Sequence, residues 1–196
     1  MARLQQGNRM PDFKFCAPYA GEDSVRGLME DGAYNRFAFI FLRYYGCTLC
    51  QYDMHRYTEK YSEITAGGGS FCVVLQSSPE TVRRELGENV LPYTVICDPE
   101  RRLYEALEIR PAADSSQLMG GDTQAKAAEA RKWFTHKEYE GEELQMPAVF
   151  VVDRELRLTW GKRRGRSGAG GVKGTSGDES GKGDEIGKMY LGGNYG

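Results

Sequence analysis

The sequence predicts an α/β fold, a central mixed β-sheet flanked by helices, and three observations carry that prediction. Short apolar runs recur at residues 37–42, 71–75, 93–97 and 147–152. They are apolar on both faces, as expected of strands covered by helices. Between them lie stretches with helical spacing or helix-start signals, and turn formers separate the two kinds.

The elements follow in chain order. Residues 11–15 (Pro-Asp-Phe-Lys-Phe) alternate aromatics and read as an early edge strand. Residues 17–36 hold turn formers (Pro18, Gly21, Gly27, Asp31, Gly32) around a short apolar piece at 25–29. The apolar run 37–42 is the central strand. After Arg43-Tyr44-Tyr45-Gly46 comes Cys47-Thr48-Leu49-Cys50, opening a helix that ends near Ile64. Its Cys50, Met54, Tyr57, Tyr61 and Ile64 are spaced four, three, four and three apart, one apolar stripe against the sheet. Asp53, Arg56, Lys60 and Glu63 form the opposite, wet face. Cys50 therefore heads the buried stripe, and Cys47 stands just before the first turn, within reach of solvent. Gly67-Gly68-Gly69 stops the helix. Ser77-Ser78-Pro79-Glu80 is a helix start with proline in the first turn, and that helix runs to about Leu86. A helix from Glu100 to about Leu107 follows Asp98-Pro99. Residues 111–145 read as an insertion with a helix from Gln124 to about Tyr139. Residues 156–160 pair back on the strand at 147–152.

Composition narrows the function classes. A chain of 196 residues suits one domain, taken as residues 1–160 with the insertion inside it. From Gly161 it becomes rich in Gly, Ser, Lys and Arg, a tail (161–196) with too little apolar surface to offset its ordering entropy. A net charge of −2 and a pI near 5.8 give no global pull towards nucleic acid or an anionic membrane. No apolar run approaches a membrane span. The first nine residues lack the apolar core of a secretory signal, so the expected compartment is the cytosol, a cytoplasmic protein. There the five cysteines (16, 47, 50, 72 and 97) are expected to be catalytic, metal-binding or merely buried rather than a structural disulfide set.

A Cys-x-x-Cys at a strand-to-helix junction reads as a thioredoxin-like redox motif. Cys47 lies where the unpaired N–H groups and positive dipole end of the helix favour an anion, and the thiolate is the reactive form. Cys50, one turn on, resolves the mixed disulfide. Zinc wants four ligands, and no second Cys-x-x-Cys or His-x-x-x-His is present, so no metal or other cofactor is expected. Met146-Pro147 precedes a buried strand, and X-Pro bonds alone have an accessible cis form. A cis bond would turn the Met146 backbone outward to pair with an extended substrate, with Tyr45, Met146 and Pro147 lining the groove. Cys72 reads as a small core residue, Cys16 and Cys97 as candidate distant resolving thiols. His55 and His136 read as surface residues.

Residues 39–50, Pro11-Asp12-Phe13, Cys97-Asp98-Pro99 and residues 147–153 together resemble the redoxin group. This is the alkyl hydroperoxide reductase/thiol-specific antioxidant (AhpC/TSA) family, close to peroxiredoxin-like proteins that keep a Cys-x-x-Cys. The resemblance covers residues 8–160. It implies a thioredoxin-like fold, a site at the carboxyl ends of the strands, and reduction of peroxides or disulfides with electrons from a thiol donor of thioredoxin type. The chain also departs from the family. Where peroxiredoxins carry Pro-x-x-x-Thr/Ser-x-x-Cys, Arg43 replaces the proline and Cys47 the Thr/Ser. Pro147 stands where they carry an arginine, and Arg43 is the candidate to supply that charge. These departures shift the expectation from peroxidase towards disulfide exchange. The family's closing helix is missing after Trp160, so either the tail or a second subunit, as in a homodimer, covers that flank.

Three readings follow. In the first, Cys47 attacks and Cys50 resolves. In the second, Cys50 is the peroxide-attacking sulfur. In the third, the chain is a non-catalytic scaffold that binds partners through its tail or insertion.

Overall fold

The computed structural model describes residues 4–30, 34–120 and 122–163. The elements are β1 (Lys14–Ala17), β2 (Gly21–Ser24), α1 (Val25–Glu30), β3 (Arg36–Phe41), α2 (Thr48–Glu59), α3 (Tyr61–Thr65), β4 (Gly69–Leu75), α4 (Pro79–Glu85), β5 (Thr94–Cys97), α5 (Arg102–Ala106), α6 (Ser115–Leu118), α7 (Thr123–Trp133), β6 (Ala148–Asp153) and β7 (Leu158–Arg163). One mixed sheet has the order β2-β1-β5-β4-β3-β6-β7. Strands β3, β4 and β5 run parallel, while β6 and β1 join them antiparallel.

Strand β3 lies at the middle of the core because its side chains serve both faces. Phe39 and Phe41 pack with Cys72, Val74, Ile96, Phe150 and Tyr104. Ile40 packs on the other face with Val73, Leu75, Val149 and the α2 residues Cys50, Met54 and Tyr57. Period-2 alternation between two buried faces is what makes these runs apolar throughout.

Several elements differ from expectation, each for a physical reason. The first strand is not the edge. Gly21–Ser24, too polar to read as a strand, forms the edge strand β2 by pairing with β1. The cysteine helix divides at Lys60, whose φ of −97° and ψ of 9° leave the helical region. The Thr58 and Tyr93 hydroxyls both donate to the Met54 carbonyl (3.0 and 2.8 Å), and such back-bonding loosens the last turn. The stripe nevertheless continues into α3, where Ile64 is buried. The opposite face is not wholly wet, since α7 packs along it and Lys126 ion-pairs with Asp53.

Helix α5 starts after Arg101, held at φ +58°, with the Asp98 carboxylate accepting from the Arg102 and Leu103 N–H groups (3.0 and 2.8 Å). Helix α7 ends at Trp133 instead of continuing to Tyr139, and Phe134 is already extended (φ −129°, ψ 141°). Strand β7 continues past the composition change to Arg163. A Cβ on Gly161 would stand 3.0 Å from the Phe150 ring and press on it, and the Arg163 guanidinium covers that ring at 4.7 Å. The rest of the expected tail, residues 164–196, lies outside the described residues.

Candidate active site

Strand pairing carries past the end of β3 and delivers the cysteine turn to one place. The Leu42 N–H bonds to the Val74 carbonyl (3.0 Å), and the Gln76 N–H bonds to the Arg43 carbonyl (2.8 Å). The Tyr45 N–H then donates to the Ser77 hydroxyl (2.8 Å), so the turn at residues 44–46 is held against the end of β4.

Cys47 is the N-cap of α2. Its backbone is extended (φ −70°, ψ 122°), and its sulfur accepts the Cys50 N–H at 3.4 Å. This is the position at which a capping atom meets an otherwise unpaired helix donor. The Cys50 sulfur faces back and accepts the Arg43 N–H at 3.4 Å. Both cysteines are free thiols.

The two sulfurs are held at opposite acidities. The Cys50 thiol hydrogen-bonds to the Cys47 sulfur, and the Arg43 charge and the Cys50 and Leu49 N–H groups add to this. Against the opposing effect of burial, the Cys47 pKa is lowered to about 7. Burial, followed by the hydrogen bond to Cys47, pushes the Cys50 thiol well above its ordinary value. One sulfur is therefore poised as thiolate and the other kept protonated. For Arg43, burial opposes the charge, but the facing Cys50 and Cys47 sulfurs hold its pKa above the ordinary value. The Arg43 guanidinium is tied by Nη1 to the Glu143 carbonyl at 3.0 Å.

Cys47 is not within reach of solvent, contrary to the expectation from its position; it is 2% exposed. A strap, residues 134–145 of the insertion, crosses the turn. The Lys137 N–H donates to the Gly46 carbonyl (2.9 Å), and the Gln51 amide donates to both the Gly46 and Thr135 carbonyls (3.2 and 3.0 Å). His136 Nε2 lies 2.9 Å from the Tyr44 hydroxyl, so His136, though exposed, is pinned rather than simply solvated. Farther along, the Glu140 carboxylate accepts from the Ser77 hydroxyl, the Ser78 N–H and the Thr81 hydroxyl (2.5, 3.2 and 2.8 Å). Gln76 then exchanges bonds with the Glu142 backbone (2.7 and 3.3 Å).

The expected groove takes a different form. Met146–Pro147 is trans, with no cis bond among the described residues. Met146 is buried and its carbonyl accepts from the Gln145 amide at 3.1 Å, so its backbone is not turned outward. The Gln145 amide also donates to the Ile109 carbonyl and so holds this stretch inward. Pro147 leads into β6, where Ala148 pairs with Phe41, and thus sits beside the strand end that feeds the cysteines. Tyr45 lies beneath the Lys137 ammonium, 5.2 Å above its ring, under the strap rather than in an open groove. His55 is exposed beside Glu59, as expected. No cluster of metal-binding side chains occurs among the described residues.

The sequence did not point to Ser77, Gln51, Gln76 or Glu140. The one available signal was the polar run Gln76-Ser77-Ser78 directly after an apolar strand, which reads equally well as a helix start.

A thioredoxin fold with two cysteines at the amino end of the helix after its central strand defines a class of thiol-redox proteins. The AhpC/TSA family model matches residues 7–160, and the chain belongs to that family. No curated protein matches it. Among solved structures, the peroxidoxin BcpB of Mycobacterium tuberculosis is similar, with a TM-score of 0.60 at 10% identity, covering 96% of this chain and 97% of that one. A peroxiredoxin-like protein from Aquifex aeolicus gives 0.54 at 16% identity, covering 96% and 90%. A Chlorobium tepidum protein assigned as the thiol:disulfide interchange protein DsbE gives 0.53 at 14% identity, covering 84% and 89%. At these identities the likeness is one of fold. No described helix is long and apolar enough to cross a membrane.

Proposed function

We propose that the protein is a thiol–disulfide oxidoreductase of peroxiredoxin-like type, in which Cys47 attacks and Cys50 resolves. The observation that carries this reading is the split in acidity between two sulfurs joined by one helical turn. Cys47 is lowered to about 7 and Cys50 is raised by burial. The Cys47 thiolate attacks one sulfur of a substrate disulfide, the S–S bond breaks, and one thiolate leaves. Cys50 then attacks the Cys47 sulfur, its proton passes to the second leaving thiolate, and a Cys47–Cys50 disulfide remains. Two electrons have moved from the protein to the substrate. A thiol donor of thioredoxin type returns the protein to the dithiol.

Arg43 favours the anionic sulfur in this scheme, Pro147 and Tyr45 border the site, and the strap must lift for substrate to reach Cys47. The reverse assignment asks the more weakly acidic sulfur to attack first, so it is the weaker reading. Trapping after one equivalent of disulfide or peroxide, followed by mass spectrometry, tests the order. Cys50→Ser should accumulate a mixed disulfide or a sulfenic acid on Cys47, and in Cys47→Ser the Cys50 sulfur should stay unmodified. Modification of Cys50 in the Cys47→Ser variant reverses the assignment. Cys47 and Cys50 left unmodified in both variants and in the wild type leave the scaffold reading.

A further inference from the structure

A second pair of sulfurs meets away from this site. Cys16 in β1 is the direct antiparallel partner of Cys97 in β5, the one registered pair that joins those two strands. Opposed residues of an antiparallel pair leave the sheet on the same face, and the packing agrees. Phe15 and Ala17, on either side of Cys16, lie in one core cluster with Ile96. Cys97 lies with Val95 in the other. By alternation, Cys16 shares the face of Cys97. Opposed antiparallel residues have Cα atoms about 4.5 or 5.5 Å apart, and both values fall in the roughly 4.4–6.8 Å that a disulfide spans. The pair also has an outer and an inner member, for Cys16 is exposed and Cys97 buried.

Strand β5 is separated from β3 by β4, so Cys97 stands two strand spacings, roughly 10 Å, from the strand that feeds the cysteine turn. Burial and the nearby Cys16 push the Cys97 thiol up to about 12, which leaves the exposed Cys16 as the sulfur that reacts first. The position also has a mechanical consequence. The β1–β2 hairpin meets the remaining strands through this single registered pair, and its turn is otherwise tied to α4 through the Arg83 bond to the Pro18 carbonyl (2.8 Å) and the Tyr19 hydroxyl.

We propose that Cys16 and Cys97 form a second dithiol–disulfide couple, oxidised by small disulfides of the glutathione type, that staples the β1–β2 hairpin to the parallel strands. The Cys16 thiolate attacks one sulfur of the small disulfide, whose S–S bond breaks to release one thiolate. Cys97 then attacks the Cys16 sulfur, and its proton goes to the second leaving thiolate. The two protein thiols lose two electrons, and the small disulfide is reduced to two thiols. Exchange of this kind needs only a reachable thiolate and an adjacent resolving sulfur, which this strand pair supplies without a cleft.

The test uses the full chain, reduced and then equilibrated with oxidised glutathione, acid-quenched, alkylated and mapped without reduction. The expected product is a peptide pair linked through Cys16 and Cys97, also in the Cys47→Ser/Cys50→Ser background, so the outcome does not depend on the function proposed above. Cys97→Ser should arrest as a glutathione adduct on Cys16, and Cys16→Ser should abolish both products. In the Cys47→Ser/Cys50→Ser background the oxidised form should melt at a higher temperature than the reduced form, and adding Cys16→Ser should remove the difference. A lasting glutathione adduct on Cys16 in the wild type, a link from Cys16 to any other cysteine, or no reaction overturns the couple. Linkage with no change in melting temperature overturns the staple.

Discussion

Replacing Gly46 by alanine should free Cys47 without disturbing the elements that carry it. An added Cβ would stand 2.2 Å from the Glu138 carbonyl oxygen and 3.2 Å from the Lys137 and Glu138 carbonyl carbons, all backbone of the strap. Gly46 is not among the residues at positive φ, so alanine can take its backbone conformation, and the strain falls on the strap. The bonds nearest the clash are Lys137 to Gly46, Gln51 to Thr135, and Tyr44 to His136. At about 0.5–1.5 kcal/mol net for each, their loss shifts the closed-to-open balance by about 1.5–4.5 kcal/mol. With tenfold per about 1.4 kcal/mol, Cys47 should be alkylated roughly 10- to 1000-fold faster. The assay is the rate of iodoacetamide labelling at Cys47, read by peptide mass spectrometry, with circular dichroism to show that the fold persists. A folded variant whose Cys47 labels at the wild-type rate would refute the strap as the barrier.

Removing the charge with Arg43→Met should raise the Cys47 pKa and lower the thiolate fraction at neutral pH. Ultraviolet thiolate absorbance against pH measures this, and Arg43→Lys should restore part of the effect. Linkage predicts a pH window for stability. The depressed Cys47 pKa contributes stability that is full only above the ordinary thiol value of 9.0 and is lost as pH falls through about 7. At about 1.36 kcal/mol per pKa unit this is worth up to about 2–3 kcal/mol. The raised Cys50 pKa acts oppositely, since its contribution is present below the ordinary value and lost at higher pH. Urea midpoints should therefore rise from pH 7 towards 9 and then fall, and Cys47→Ser should flatten the rise. Phe150→Ala should lower stability by about 3–5 kcal/mol, because Phe150 is fully buried against Phe41 at a ring-centroid distance of 5.8 Å. Thermal and urea unfolding check it, and a loss below about 1 kcal/mol would mean that the core closes over the gap.

By itself the sequence determined the central strand, the cysteine helix and its buried stripe, the start of α4 and the closing β6–β7 pair. Each of these is written in local periodicity or in a cap. It also set the spacing that places two sulfurs one helical turn apart. Only the tertiary structure decided what lies over them. The strap is anchored through backbone carbonyls and side chains distant in sequence, Glu140 on Ser77 and Ser78, Gln51 on Thr135. No local pattern records such bonds, so a cysteine that reads as exposed is in fact covered. The same holds for β2, a polar segment that becomes a strand because β1 offers it hydrogen bonds, and for Met146, which is turned inward by a buried glutamine. Periodicity reports which face of an element is apolar, whereas long-range polar contacts depend on which segments the packed core brings together.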